Sequence, residues 1–175
     1  VGAIAGVEET ALTSALPLQG WGYGLPYMIA GRGFEERTNR RSAFFKVVSP
    51  SYFDSLRMRL VAGRFLDASD RAGATRGVTI NEALAQREFD GENPVGQHIL
   101  VQEIMPGGQQ LGEEVAWEIV GVIADERVDG LDDSASVGMY VSNAQSPTNA
   151  VSLLVRTRLD PRNLEPPPRL SHLES

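Results

Sequence analysis

Apolar positions along the chain recur in short blocks, some with the twofold period of strands and some with helical spacing, and glycine or proline closes most of them. The segment Gly6–Leu18, GVEETALTSALPL, alternates apolar with polar residues and predicts a first strand. The stretch QGWGYGLP that follows reads as a turn-rich aromatic loop, and Gly33–Ser42 as a polar connector. Phe44–Val48, FFKVV, predicts a short strand of buried character. Ser49-Pro50 then predicts a helix, with a serine oxygen for its N-cap and proline at its first position, where no N–H is needed. Tyr52, Phe53, Leu56 and Leu60 fall on one face of that helix, and Gly63 ends it. Phe65 opens a turn region closed by Asp67, Ser69, Asp70 and Gly73.

A second unit repeats this logic. Val78–Ile80 predicts a strand, Asn81 an N-cap, and EALAQREF a two-turn helix broken by the turn Asp90–Gly96. His98–Glu103 alternates as a strand, and MPGGQQLG reads as a hairpin-like loop. Val115–Ala124 predicts a strand apolar on both faces, followed by the acidic loop DERVDGLDD. Further strands are expected at Gly138–Val141 and Val151–Thr157, before a tail in which Pro166–Pro168 forbid a continuous helix. Strands interleaved with two short helices, without regular βαβ spacing, make the fold class α+β.

Composition narrows the function more than the fold. At 175 residues the chain has the length of one domain, and 42% hydrophobic with 22% charged residues describes an ordinary globule. Its net charge of −7 opposes phosphate backbones, so nucleic-acid binding is not expected, although Arg37, Arg40 and Arg41 cluster locally. Lys46 is the only lysine among 16 cations. With no cysteine there are neither disulfides nor thiolate chemistry. The apolar run Ile119–Ala124 falls far short of the roughly 20 residues that span a bilayer. No signal peptide is recognisable, and the chain begins at Val1 within structured-looking sequence, as expected of an excised piece of a longer protein whose remainder carries membrane segments.

The motifs remove most chemistry. GxxxxGK[ST] is absent, so no P-loop wraps a nucleotide phosphate. The glycines at 20, 22 and 24 do not make a dinucleotide fingerprint, because Leu25 stands where the third glycine belongs. Within that loop Trp21 and Tyr23 are candidates for an apolar contact with a partner or substrate. Aligning Asp125, Arg127 and Asp129-Gly130 to a calcium loop puts arginine at the third ligand position and Ser136 at the twelfth, so the loop reads as a solvated acidic turn. His98 and His172 are the only histidines, and no GxSxG elbow is present. The sequence therefore nominates no catalytic, cofactor-binding or metal residue, and no cofactor.

Four stretches carry a family resemblance. VVSPSYFDSLRMRLVAGRFLDASDRAG (Val47–Gly73), VTINEALAQREFDGENPVGQHI (Val78–Ile99), WEIVGVIADERVDGLDDSASVGMYV (Trp117–Val141) and VSLLVRT (Val151–Thr157) together resemble the MacB-like periplasmic core domain of bacterial ABC-transporter permeases. In that pattern Ser49, Pro50, Tyr52 and Phe53 make a capped helix, and Gly63 and Gly121 are positions where a side chain would obstruct a turn or close packing. The resemblance implies a two-lobed extracytoplasmic domain between the first two membrane helices of a permease. Its membrane-proximal lobe would comprise residues 1–43 and 141–175, and the inserted second lobe residues 44–140. The proline run departs from the family pattern where the proximal lobe should finish, so that lobe is expected to be incomplete. The implied role is non-enzymatic: to carry conformational change driven by a cytoplasmic ATPase to substrate or partner proteins outside the inner membrane. The implied partners are the membrane helices of the parent permease, the ATPase indirectly, a second copy, and a periplasmic adaptor or substrate protein. The alternative is an extracytoplasmic binding or sensory module that recognises a peptide, lipid or protein directly.

Overall fold

Hydrogen bonding between distant segments, more than local propensity, organises this chain. A computed structural model describes residues 6–17, 23–32, 40–104, 111–126 and 136–160. The strands are β1 (Val7–Thr13), β2 (Tyr23–Ile29), β3 (Ser42–Val48), β4 (Leu60–Gly63), β5 (Gly77–Asn81), β6 (His98–Ile104), β7 (Leu111–Ile123), β8 (Gly138–Ser142) and β9 (Ser152–Thr157). The helices are α1 (Tyr52–Ser55) and α2 (Glu82–Phe89).

The sheet runs β2-β6-β7-β5-β8-β3-β1-β9, and β2 also pairs with β3. That extra pairing closes six strands into a ring, β2-β6-β7-β5-β8-β3. Strands β3 and β8 run parallel, as do β5 and β7, while the other pairs are antiparallel. Strand β3 is shared along its length. Its first half lies against β2 (Phe45 opposite Tyr23), and its end meets β1, with Val48 opposite Thr13. The β1–β9 ribbon therefore leaves the ring as an extension of β3.

Strand alternation sorts the apolar residues into two cores. Phe45 and Val47 of β3, with Met139 and Val141 of β8, belong to the cluster inside the ring, to which β2, β5, β6 and β7 also contribute. Leu84 and Phe89 of α2 join that cluster. The intervening residues Phe44, Val48 and Tyr140 belong to a second cluster outside the ring, with Ala11, Tyr52, Phe53, Leu66 and Ile123. The α+β class is as expected.

Several elements follow the sequence closely. Asn81 caps α2, its Oδ1 accepting the Leu84 N–H, and the same oxygen also accepts the Gly138 N–H. Asp125 adds a second cap by accepting from the Ala83 N–H.

Three expectations are corrected. The supposed aromatic loop is in part a strand: β2 buries Leu25, Tyr27 and Ile29 on one face, an alternation hidden by the intervening Gly24 and Pro26. The first helix is a single turn starting at Tyr52. Ser51 occupies its N-cap without a side-chain capping bond, its hydroxyl donating to the Thr10 carbonyl, and the Ser49 Oγ accepts from the Leu12 N–H. Arg57, at φ 52°, terminates the turn, and Leu60 lies in β4 beside β7. The strand expected at Val115–Ala124 begins earlier, at Leu111, because its first half pairs with β6. The MPGGQQ segment, the acidic loop from residue 127 to 135 and the proline-rich tail lie outside the described residues.

Candidate functional site

The single lysine of the chain is where the fold spends its least expected interaction. Within FFKVV, alternation places Lys46 on the outer-core face between Phe44 and Val48, so its side chain enters apolar surroundings. It is 1% exposed. Directly across the parallel ladder stands Tyr140 of β8, and Tyr52 of α1 packs against both. The lysine Nζ lies 5.6 Å from the ring centroids of Phe44 and Tyr52 and 5.8 Å from that of Tyr140. Three aromatic faces thus surround one ammonium group.

The counter-charge comes from 80 residues further along the chain. Glu126, three residues after β7 ends, is 8% exposed and lies beneath the sheet rather than in solvent. This corrects the reading of its segment as a solvated acidic turn: the residue accepts three hydrogen bonds. Lys46 Nζ donates to Oε2 at 2.9 Å, the Tyr140 hydroxyl donates to Oε2 at 2.8 Å, and the Tyr52 hydroxyl donates to Oε1 at 2.7 Å. Lys46 also donates to the Tyr52 hydroxyl at 3.2 Å. Burial first, and the Glu126 carboxylate second, push both phenols well above the ordinary tyrosine range. They stay protonated and remain donors. The four side chains satisfy one another in a low-dielectric pocket, an arrangement suited to holding a geometry.

The residues singled out by sequence are scattered. Trp21 lies outside the described residues, and Tyr23 begins β2, where it pairs with Phe45. His98 is exposed at the start of β6, and His172 lies outside the described residues. Asp125 serves helix α2, and burial raises its carboxyl above the usual aspartate range. Of the arginine patch, Arg37 lies outside the described residues, while Arg40 pairs with Glu114, and Arg41 with Glu88 at 3.2 Å. Among the described residues, no group of three or more His, Cys, Asp or Glu side chains is placed to hold a metal ion.

A different kind of surface occurs at the end of the sheet. Strand β9 has β1 on one side and, among the described residues, no strand on the other. Val151, Leu153 and Val155 are 48%, 53% and 40% exposed, so an apolar stripe runs along an open edge.

The sequence matches the profile of the MacB-like periplasmic core domain over residues 14–163. The chain belongs to this family. It is accordingly an extracytoplasmic domain of the ABC-transporter permease type. Solved structures share the fold of this MacB-like domain. The periplasmic region of MacB from Actinobacillus actinomycetemcomitans superimposes with a TM-score of 0.53 at 13% identity over 91% of this chain. The extracellular domain of the noncanonic ABC-type transporter YknZ from Gram-positive bacteria gives 0.56 at 19% identity over 89%. A domain of a putative permease protein from Porphyromonas gingivalis gives 0.56 at 17% identity over 92%. The chain spans 63% of the MacB region and 67% of each of the other two. No curated protein matches the sequence. Among the described residues, no helix is long and apolar enough to cross a membrane.

Proposed function

We propose that this MacB-like domain is a non-enzymatic transmission element, coupling ATP-driven movement of its parent permease to substrate or partner proteins outside the membrane. The family match over residues 14–163 carries the reading. The interior suits a mechanical role: Lys46 and Glu126 bond to each other and to Tyr52 and Tyr140, an arrangement that holds a geometry across β3, β8, α1 and the exit of β7. The immediate partners are the membrane helices of the permease. The cytoplasmic ATPase acts through them, and a second copy of the domain and a periplasmic adaptor or substrate protein complete the assembly. Residues 1–43 and 141–175 form the membrane-proximal lobe and residues 44–140 the inserted one. Both borders fall within paired strands, β3 and β8, and β2 of the proximal lobe lies in the ring between β3 and β6 of the inserted one. The lobes therefore share a sheet and a core, and movement of one reaches the other through backbone hydrogen bonds.

Excision of residues 7–160 from the parent permease, bridged by a short flexible linker, tests this role. Transport should be lost while ATP binding by the cytoplasmic partner persists; transport that survives excision contradicts the proposal. The apolar stripe on β9 favours one second reading, a module that binds a peptide, lipid or protein ligand directly. Stoichiometric, saturable binding of such a ligand by the isolated chain would support that reading.

A further inference from the structure

Two weak elements converge on the Glu126 carboxylate. Helix α1 is one turn of four residues, too short to hold itself. The segment leaving β7 is irregular beyond Ile123, and the Ala124 N–H bond to the Arg59 carbonyl is its first tether. Tyr52 brings α1 to the carboxylate, Lys46 brings β3, and Tyr140 brings β8. All four side chains lie against the outer apolar cluster, with the buried Thr13 side chain at the Tyr52 hydroxyl, and charges placed there lose hydration that their mutual attraction barely restores. Well-packed apolar residues of similar volume would fill such a space at no loss of stability. Apolar contacts, however, have no fixed direction, whereas three hydrogen bonds to one carboxylate do.

We infer that Lys46, Tyr52, Glu126 and Tyr140 form a conformational lock, which fixes α1 and the exit of β7 in one position on the ring without adding to its net stability. The inference concerns the folded domain alone and stands apart from the transport reading. The lock explains why the chain, rich in arginine, keeps its one lysine here. An ammonium group is compact enough to sit among three rings and still reach a carboxylate, which a planar guanidinium is not.

The test compares three forms of the 175-residue chain by thermal unfolding and by amide hydrogen exchange at Ala124, Leu56 and Met58, whose N–H groups are tied to Arg59, Tyr52 and Phe53. In the all-apolar variant, K46M, Y52F, E126L and Y140F together, the unfolding midpoint should stay within about 3 °C of the native chain. Exchange at the three amides should accelerate by about tenfold or more, with amides of the ring strands unchanged. The E126Q variant preserves shape but leaves the ammonium without its counter-charge, so its midpoint should fall by roughly 6–12 °C. Native-like protection at all three amides in the all-apolar variant would overturn the inference, since packing alone would then fix the position. A midpoint loss in that variant as large as in E126Q would also overturn it, since the cluster would then be a net source of stability.

Discussion

Replacing Lys46 by methionine alone should destabilise the domain by about 3–5 kcal/mol, one of the two largest effects expected of a single substitution here. Methionine fills most of the same volume, so lost packing is not the reason. The cost arises at Glu126, which keeps two phenol donors but loses the only cation among its bonded partners while remaining 8% exposed. A buried carboxylate without its counter-charge keeps the full desolvation cost with nothing to offset it. Lys46→Arg should also be poorly tolerated, because the guanidinium has to fit between rings whose centroids lie 5.6–5.8 Å from the present nitrogen. Urea unfolding at pH 7 measures both. A Lys46→Met variant within about 1 kcal/mol of the native chain would mean that breaking the pair costs no more than breaking a surface salt bridge, contrary to the expected cost of an unpaired buried charge.

The second large effect is expected at Gly121, where β7 passes beneath β4. A methyl group there would lie 2.0 Å from the Arg64 carbonyl oxygen and 3.2 Å from the Arg64 nitrogen, both backbone atoms. Gly63, paired with Gly121 across the ladder, is equally crowded: an added methyl would lie 2.3 Å from the Val120 oxygen, and the φ of +70° suits glycine. Neither backbone can yield without parting β4 from β7. Gly121→Ala should therefore cost about 3 kcal/mol, at the upper end of overpacking penalties. Gly91 supplies the control. Its φ is +86° but nothing lies within 4 Å of an added methyl, so Gly91→Ala should cost only the backbone strain, roughly 1 kcal/mol. Equal unfolding midpoints for the Gly121 and Gly91 variants would contradict the steric argument.

Local chemistry makes much of this architecture legible in the sequence. Asn81 and the helix behind it follow from capping rules, β6 follows from alternation, and β3, β5, β8 and β9 follow from short apolar runs. The obstruction at Gly63 and Gly121 is expected as well, on the strength of the family pattern, and both are crowded by backbone. Strand β2 is hidden because turn-forming Gly24 and Pro26 alternate with its buried Leu25, Tyr27 and Ile29. Strand β4 is hidden because Leu60 falls at helical spacing from Tyr52, Phe53 and Leu56, and only pairing with β7 decides its conformation. Closure of the ring through β2 and β3 depends on contacts that periodicity does not encode. The Lys46–Glu126 pair escapes sequence reasoning for the same cause. A lone lysine inside FFKVV is a visible anomaly, but its partner lies 80 residues away at the start of a loop that looks solvated.

A domain that transmits force must move when ATP acts on the far side of the membrane. These 175 residues contain no cysteine, so once any cysteine elsewhere in the transporter is replaced a single spin label can be placed here, and Glu92, whose side chain is 69% exposed beyond α2, offers a site away from both cores. With Glu92→Cys labelled in the assembled transporter, the second copy of the domain proposed above supplies the partner spin, and electron-spin distances can be recorded without nucleotide and with bound ATP. A distance distribution that shifts between the two states is the predicted result. An identical distribution in both states, or no pair distance at all, would contradict the account.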